Sequence, residues 1–214
     1  MTPPPAEQTP LNRALHALAL AITYTFSPLL LPIIGVYAGA RALGAGLPEA
    51  LGGAAVMFVL VGLVPLAFLS ALVRRGDVVS LELRERQKRT VPYLVGATTT
   101  ALSAAGLFAL LAPERHLLAA ATAAQAFNLL VLMAINLRWK ISLHLAAVAT
   151  TFALLAWTAH AGGAVPPILL AALAALVPLV AWARLRLDAH TTGQIVMGTL
   201  FGLAALPLEL WALG

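Results

Sequence analysis

The sequence predicts an all-α protein, a polytopic transmembrane helical bundle with about six to seven spanning helices at roughly 20 residues per crossing. Composition is the first reason. Hydrophobic residues make up 61% of the 214 residues and charged residues only 10%, against about 25% charged in an ordinary soluble domain. Too few charges remain to coat a globule, so lipid must solvate much of the surface. The second reason is pattern. The apolar stretches are long and do not alternate with polar residues, which selects helices over a membrane barrel. The mean hydropathy of +0.94 agrees.

Taken in order, residues 1–12 read as a Pro-rich disordered tail, and 13–214 as a single transmembrane domain. The tail has no basic n-region and no cleavage site, so no removable signal peptide is expected. The first span is placed at Ala14–Leu43, kinked by Pro28 and Pro32. The second is Leu51–Val73, followed by the hydrophilic stretch Arg74–Arg89. Then come Val91–Ala112, Leu117–Leu137, Ile141–Ala161, Val165–Trp182 and Thr191–Leu213. The links 113–116, 138–140 and 183–190 are short, as between antiparallel neighbours. There is no internal repeat. With no cysteine in the chain, disulfides and thiolate metal sites are excluded.

Alternating spans put the N-terminus, the 74–90 loop and the links 138–140 and 183–190 on one face. Of the thirteen Lys and Arg residues, all but Arg41 and Arg115 fall there. The positive-inside rule makes that face cytoplasmic, in a multi-pass protein of the cell membrane. The same cations could also hold an anionic substrate. The net charge of +5 could suggest nucleic acid or anionic lipid, but in a membrane protein the position of the charges matters more than their sum, and no nucleic-acid partner is expected.

Two of these basic links carry a histidine at a helix start, in Trp139-Lys140-Ile141-Ser142-Leu143-His144 and in Arg184-Leu185-Arg186-Leu187-Asp188-Ala189-His190. Helix N-termini offer free N–H groups to an oxyanion. Cations, a hydroxyl and two imidazoles are what phosphoryl transfer without a metal requires. One histidine attacks phosphorus, the other protonates the leaving alkoxide, and the cations hold the equatorial oxygens. A metal at His144, Asp188 and His190 is disfavoured by the surrounding cations, so no metal or other cofactor is expected.

These residues resemble the type 2 phosphatidic acid phosphatases, the PAP2 superfamily of membrane lipid phosphatases. Its motifs are Lys-x6-Arg-Pro, Pro-Ser-Gly-His and Ser-Arg-x5-His-x3-Asp. Arg184, His190 and Gln194 keep the third spacing, with Ala183 for its serine and Gln194 for its aspartate. Ser142 and His144 match the second, with Ile141 and Leu143 replacing Pro and Gly. In the first, Pro92 fits, Arg84 stands at the lysine, and Val91 stands where the arginine should be. Arg86, Lys88 and Arg89 are nearby replacements, and Lys140 beside the second motif is another. The resemblance covers roughly residues 77–200. It implies a nucleophile at His190, a general acid at His144, and phosphate binding by Arg184 and Ser142. Gln194 lies one helical turn after His190 and can accept its hydrogen bond, but brings no charge. Asp188 would serve only if the chain there is not helical.

The expected activity is metal-independent hydrolysis of a lipid phosphate or diphosphate: phosphatidic acid, phosphatidylglycerol phosphate or an isoprenyl or undecaprenyl phosphate. The partners are that substrate and the surrounding membrane lipids, with the oligomeric state open. The alternative is a catalytically impaired relative that binds anionic lipid or a partner protein. His16, His116 and His160 read as interfacial residues. Glu82 and Glu85 read as pairing with Arg86 and Arg89 on a solvated face. Asn128, Asn136 and Gln125 should face the bundle. Ala119–Ala124 and Ala171–Ala175 read as packing surfaces.

Overall fold

The computed structural model describes residues 9–213 apart from Glu82 and Arg84, and among them it contains helices and no strand. The helices are α1 (Pro10–Thr25), α2 (Leu31–Ala42), α3 (Leu47–Arg74), α4 (Thr90–Leu110), α5 (His116–Asn136), α6 (Leu143–His160), α7 (Pro167–Arg186) and α8 (Thr192–Leu213). The six from α3 to α8 are long and apolar enough to cross a membrane.

The first expected span is not one kinked helix but two helices. Pro28 and Pro32 cannot donate backbone hydrogen bonds. The chain therefore turns at Ser27, whose side-chain oxygen accepts from Leu29 N–H at 3.1 Å, and the helix restarts with Pro32 in its first turn. At 12 residues, α2 is about 18 Å long. It runs beside the central helix α6, with Gly35 facing Thr151 and Leu154 and the Ala42 carbonyl accepting from Ala164 N–H. α1 lies against α7, with Ala19 and Ile22 packed among Val180, Ala183 and Leu187.

Proline also shapes α3. Pro65 has no N–H for the Val61 carbonyl, and its ring crowds that oxygen. The preceding turn widens into a π-helical segment, Phe58–Leu63, with Val64 N–H bonded to the Val59 carbonyl. Such π turns concentrate at functional sites.

The links gather at two ends of the bundle. At one end Arg86 Nη1 donates to the Asn136 and Leu137 carbonyls, Lys140 Nζ to Ala189 O, Ser142 N–H to Gln194 O, and Arg186 Nη2 to Asn12 Oδ1. At the other end Glu49 Oε1 accepts from Ala112 N–H at 2.9 Å and meets Arg115 at 3.4 Å.

α6 is the most enclosed helix, with 56% of its most apolar window inside, against 22% for α7. α5, at 39%, is also more enclosed than α7, which explains the alanine stretches. Ala119 and Ala121 on α5 are buried as expected, whereas in Ala171–Ala175 of the peripheral α7 only Leu173 is buried. The tightest helix contact uses glycines instead. A Cβ on Gly198 would stand 2.5 Å from the Ser142 carbonyl oxygen, and one on Gly202 would collide with Ala146 O. The Gly198-x-x-x-Gly202 spacing thus lets α8 lie backbone to backbone on α6, which sets the register between His144 and His190.

Several polar residues in the spans bond within the bundle. Thr122, Thr158 and Ser103 donate to carbonyls one turn back. Asn128 donates to Glu209 Oε2 at 3.0 Å, Asn136 to Arg86 O, and Gln125 lines an interior cavity. All three face the bundle.

Candidate functional site

The site begins as a helix cap. Thr191-Thr192-Gly193-Gln194 has the Thr-x-x-Gln pattern of a capping box. Thr191 Oγ1 accepts from Gln194 N–H at 3.4 Å, and Gln194 Oε1 accepts from Thr191 N–H at 3.3 Å. The same Oε1 lies 3.0 Å from His190 Nδ1. Because a backbone N–H can only donate, the Gln194 atom facing it must be the oxygen, and His190 Nδ1 must carry the proton. The cap therefore fixes the imidazole tautomer and leaves Nε2 with its lone pair.

His190 is 8% exposed, and its pKa is lowered from 6.5 to about 3. Burial is the largest cause. The Gln194 hydrogen bond opposes it, while Lys140, Arg184 and Arg89 lower it further. At neutral pH the ring is an uncharged base.

A cavity of about 130 Å³ brings the ring together with His144, Arg184, Arg89 and Tyr93, above apolar walls that include Pro28, Leu129 and Leu143. That is several times the roughly 10–15 Å³ needed for one water, so a group of several heavy atoms fits. Arg184 is 1% exposed. The helix expected to stop at Trp182 continues to Arg186, and this extra turn carries Arg184 into the bundle beside both imidazoles. Arg89, 7% exposed, is held by its Nε bond to Leu83 O at 2.7 Å. Leu83 adopts a left-handed φ of 47°, a conformation costly for a bulky residue, and it aims this carbonyl at Arg89. His144 lies beside the Thr23 carbonyl, so the end of α1 closes one wall.

The other sequence-predicted cations divide clearly. Among Arg86, Lys88 and Arg89, the structure brings only Arg89 to the cavity. Arg86 is spent on the Asn136 and Leu137 carbonyls. Lys88 bonds Asp77 O and pairs with Glu85 at 3.5 Å. The expected pairing of Glu85 with Arg89 is replaced by this one, because residues 86–89 form a 3-10 turn rather than an α-helix. Arg84 and Glu82 lie outside the described residues. Lys140 bonds Ala189 O at 2.7 Å and stands near His190 without lining the cavity. Ser142 is fully buried as the cap of α6, accepting from Leu145 N–H at 3.5 Å. Asp188 sits exposed in a left-handed turn, φ 49°, so Gln194 and not Asp188 serves His190. His116 bonds Leu111 O at the far end, His160 lies against Trp157, and His16 is exposed.

Tyr93 is the residue that spacing did not single out. It is 5% exposed, lines the cavity, and its hydroxyl lies beside the Arg89 guanidinium without a hydrogen bond of good geometry. Its place one turn after Arg89 on the same helix face was the available signal. Comparison with protein-family models, curated proteins and solved structures finds no match to this chain.

Proposed function

We propose that the protein is a membrane-embedded phosphatase that hydrolyses a lipid phosphate or diphosphate, without a metal, through a phosphohistidine on His190. The observation that carries this reading is His190, held by Gln194 at 3.0 Å and lining a cavity shared with two arginines and a second histidine. An uncharged, tautomer-locked imidazole facing two guanidiniums suits attack on a bound phosphate dianion.

In this mechanism Arg184, Arg89 and the Tyr93 hydroxyl hold the non-bridging oxygens, neutralising charge that would otherwise repel the nucleophile. His190 Nε2 attacks phosphorus, an N–P bond forms, and the bond to the lipid oxygen breaks. His144 takes up a proton as the phosphate dianion binds beside it and gives that proton to the departing alkoxide, or to phosphate in a diphosphate. Water then attacks the phosphohistidine while His144 takes a proton from it, and His190 is regenerated with the release of phosphate. Arginines suit the holding role because their planar forks match two phosphoryl oxygens at once. The excess of Lys and Arg in these links favours the cytoplasmic side for this end of the bundle.

A second reading, an anionic-lipid binder with impaired turnover, is favoured by one feature: Gln194 brings no negative charge to stabilise a phosphorylated imidazole. The test is phosphate release by detergent-purified protein from phosphatidic acid, phosphatidylglycerol phosphate and undecaprenyl phosphates, with EDTA present. The phosphatase reading expects release that His190→Ala abolishes and EDTA leaves intact. Binding without release in the folded wild type would establish the binder.

A further inference from the structure

The headgroup cavity has a neighbour. A second cavity of about 260 Å³ shares Pro28, Leu81 and His144 with it and extends between the α1–α2 turn and the π-helical segment of α3. Its far wall is Phe58, Gly62, Leu63 and Leu66. Phe58, Leu63 and Leu66 are exposed, as is Leu30 across from them, so in a spanning bundle the slot opens sideways to the hydrocarbon of the bilayer. Both walls owe their shape to proline: the helix break at Pro28 and the widened turn before Pro65.

Resting on the phosphatase reading above, we infer that this slot holds one hydrocarbon chain of the lipid substrate, running from His144 past Gly62 into the bilayer while the phosphate occupies the cation-lined cavity. Three observations commit the slot to that occupant. It adjoins the candidate phosphate cavity at His144, the histidine assigned to the leaving group, which is the point from which a lipid tail departs. Its lining is apolar apart from Thr23, Tyr24, Ser27 and His144, which suits a chain and not a second polar ligand. It is narrow, because a Cβ on Gly62 would already touch Ile33 Cδ1 at 3.5 Å and Leu29 O at 3.8 Å. Removing the chain from water is not the gain here, since both ends of the path are apolar. The slot positions the ester oxygen, and its contribution belongs to orientation of the scissile bond.

The first test compares kcat/KM for a long-chain and a short-chain, water-soluble phosphatidic acid. Gly62→Phe fills the slot and should lower the long-to-short ratio at least tenfold. The same aromatic added at Leu200→Phe, on an exposed stretch of α8, should leave the ratio at the wild-type value. An unchanged ratio in Gly62→Phe would overturn the assignment. A second test needs neither turnover nor that variant. Two photoreactive lipids with identical diazirine-bearing tails, one with a phosphate monoester head and one with a choline head, are crosslinked to the wild type. Labelling of the Phe58–Leu66 segment should be several-fold stronger with the phosphate head, and equal labelling by both would refute the slot. Strong head-dependent labelling without phosphate release would sustain the slot and reject the phosphatase reading instead.

Discussion

Gln194 offers the sharpest perturbation, because one oxygen serves both the helix cap and the His190 ring. Gln194→Glu is isosteric, so the carboxylate can reach His190 Nδ1 and Thr191 N–H at the present 3.0 and 3.3 Å. Aspartate, the residue of the family pattern, is one methylene shorter and would have to drop one of the two. A charged acceptor makes a hydrogen bond worth about 1.5–3 kcal/mol, against about 0.5–1.5 kcal/mol between neutral groups. The gain of roughly 1–1.5 kcal/mol is felt most when the ring carries positive charge in the phosphorylated state. At about 1.4 kcal/mol per decade, kcat should rise about five- to tenfold. Gln194→Leu should act in the opposite sense. It leaves the Nδ1–H donor buried without a partner, at about 1–3 kcal/mol, so kcat should fall by about 5- to 150-fold. KM should change little, since neither variant touches the arginines. The assay is steady-state phosphate release with long-chain phosphatidic acid, with circular dichroism as the control for folding. Equal activity in all three proteins would refute the claim that this hydrogen bond sets the nucleophile.

Other consequences follow from the same geometry. With its pKa lowered to about 3, His190 in the free protein should stay uncharged with its proton on Nδ1 from pH 8 down to pH 5. Nitrogen NMR of 15N-histidine-labelled protein reads this directly, and a titration near 6.5 would contradict it. Since the unfolded ring binds its proton below about 6.5, the neutral buried ring contributes stability above that pH, and the contribution is lost as pH falls toward 3. Arg89→Ala should lower kcat/KM about 10- to 100-fold and Tyr93→Phe about 3- to 10-fold, as expected for lost charge-assisted and neutral hydrogen bonds to phosphate; Lys88→Ala, whose side chain is turned to Asp77 O, should change it less than twofold. Gly202→Ala must displace Ala146 O, so it should destabilise the bundle by about 1–3 kcal/mol, read as a lower melting temperature in detergent.

The fold was legible where apolar length decided it. The spans from α3 to α8 begin and end within a few residues of where hydropathy puts them. It was not legible at Pro28, because a proline in an apolar run can kink a helix or end it; here the turn closed by Ser27, whose oxygens accept from Leu29, Leu30 and Leu31 N–H, ends it. The pair His190 and Gln194 was readable from spacing, since both sit on one short cap. Arg89 was one of several cations in a charged stretch, and nothing local told it from Lys88. The choice was made by the turn just before it, where the left-handed Leu83 aims its carbonyl at the guanidinium and holds it inward. Ser142 shows the limit from the other side. Its position beside His144 suggested a ligand; its hydroxyl oxygen accepts from the N–H of Leu145 in the first turn of α6, and the residue is not among those lining the cavity.

The central claim is that His190 becomes covalently phosphorylated. The direct measurement is rapid quench of the purified protein with a 32P-labelled lipid phosphate under alkaline conditions, where phosphohistidine survives, followed by peptide mapping. The account predicts an acid-labile label on the peptide containing His190, absent in His190→Ala and formed more slowly in His144→Ala, where the first step lacks its acid. Label on any other residue, or phosphate released with His190→Ala as fast as with the wild type, would contradict it.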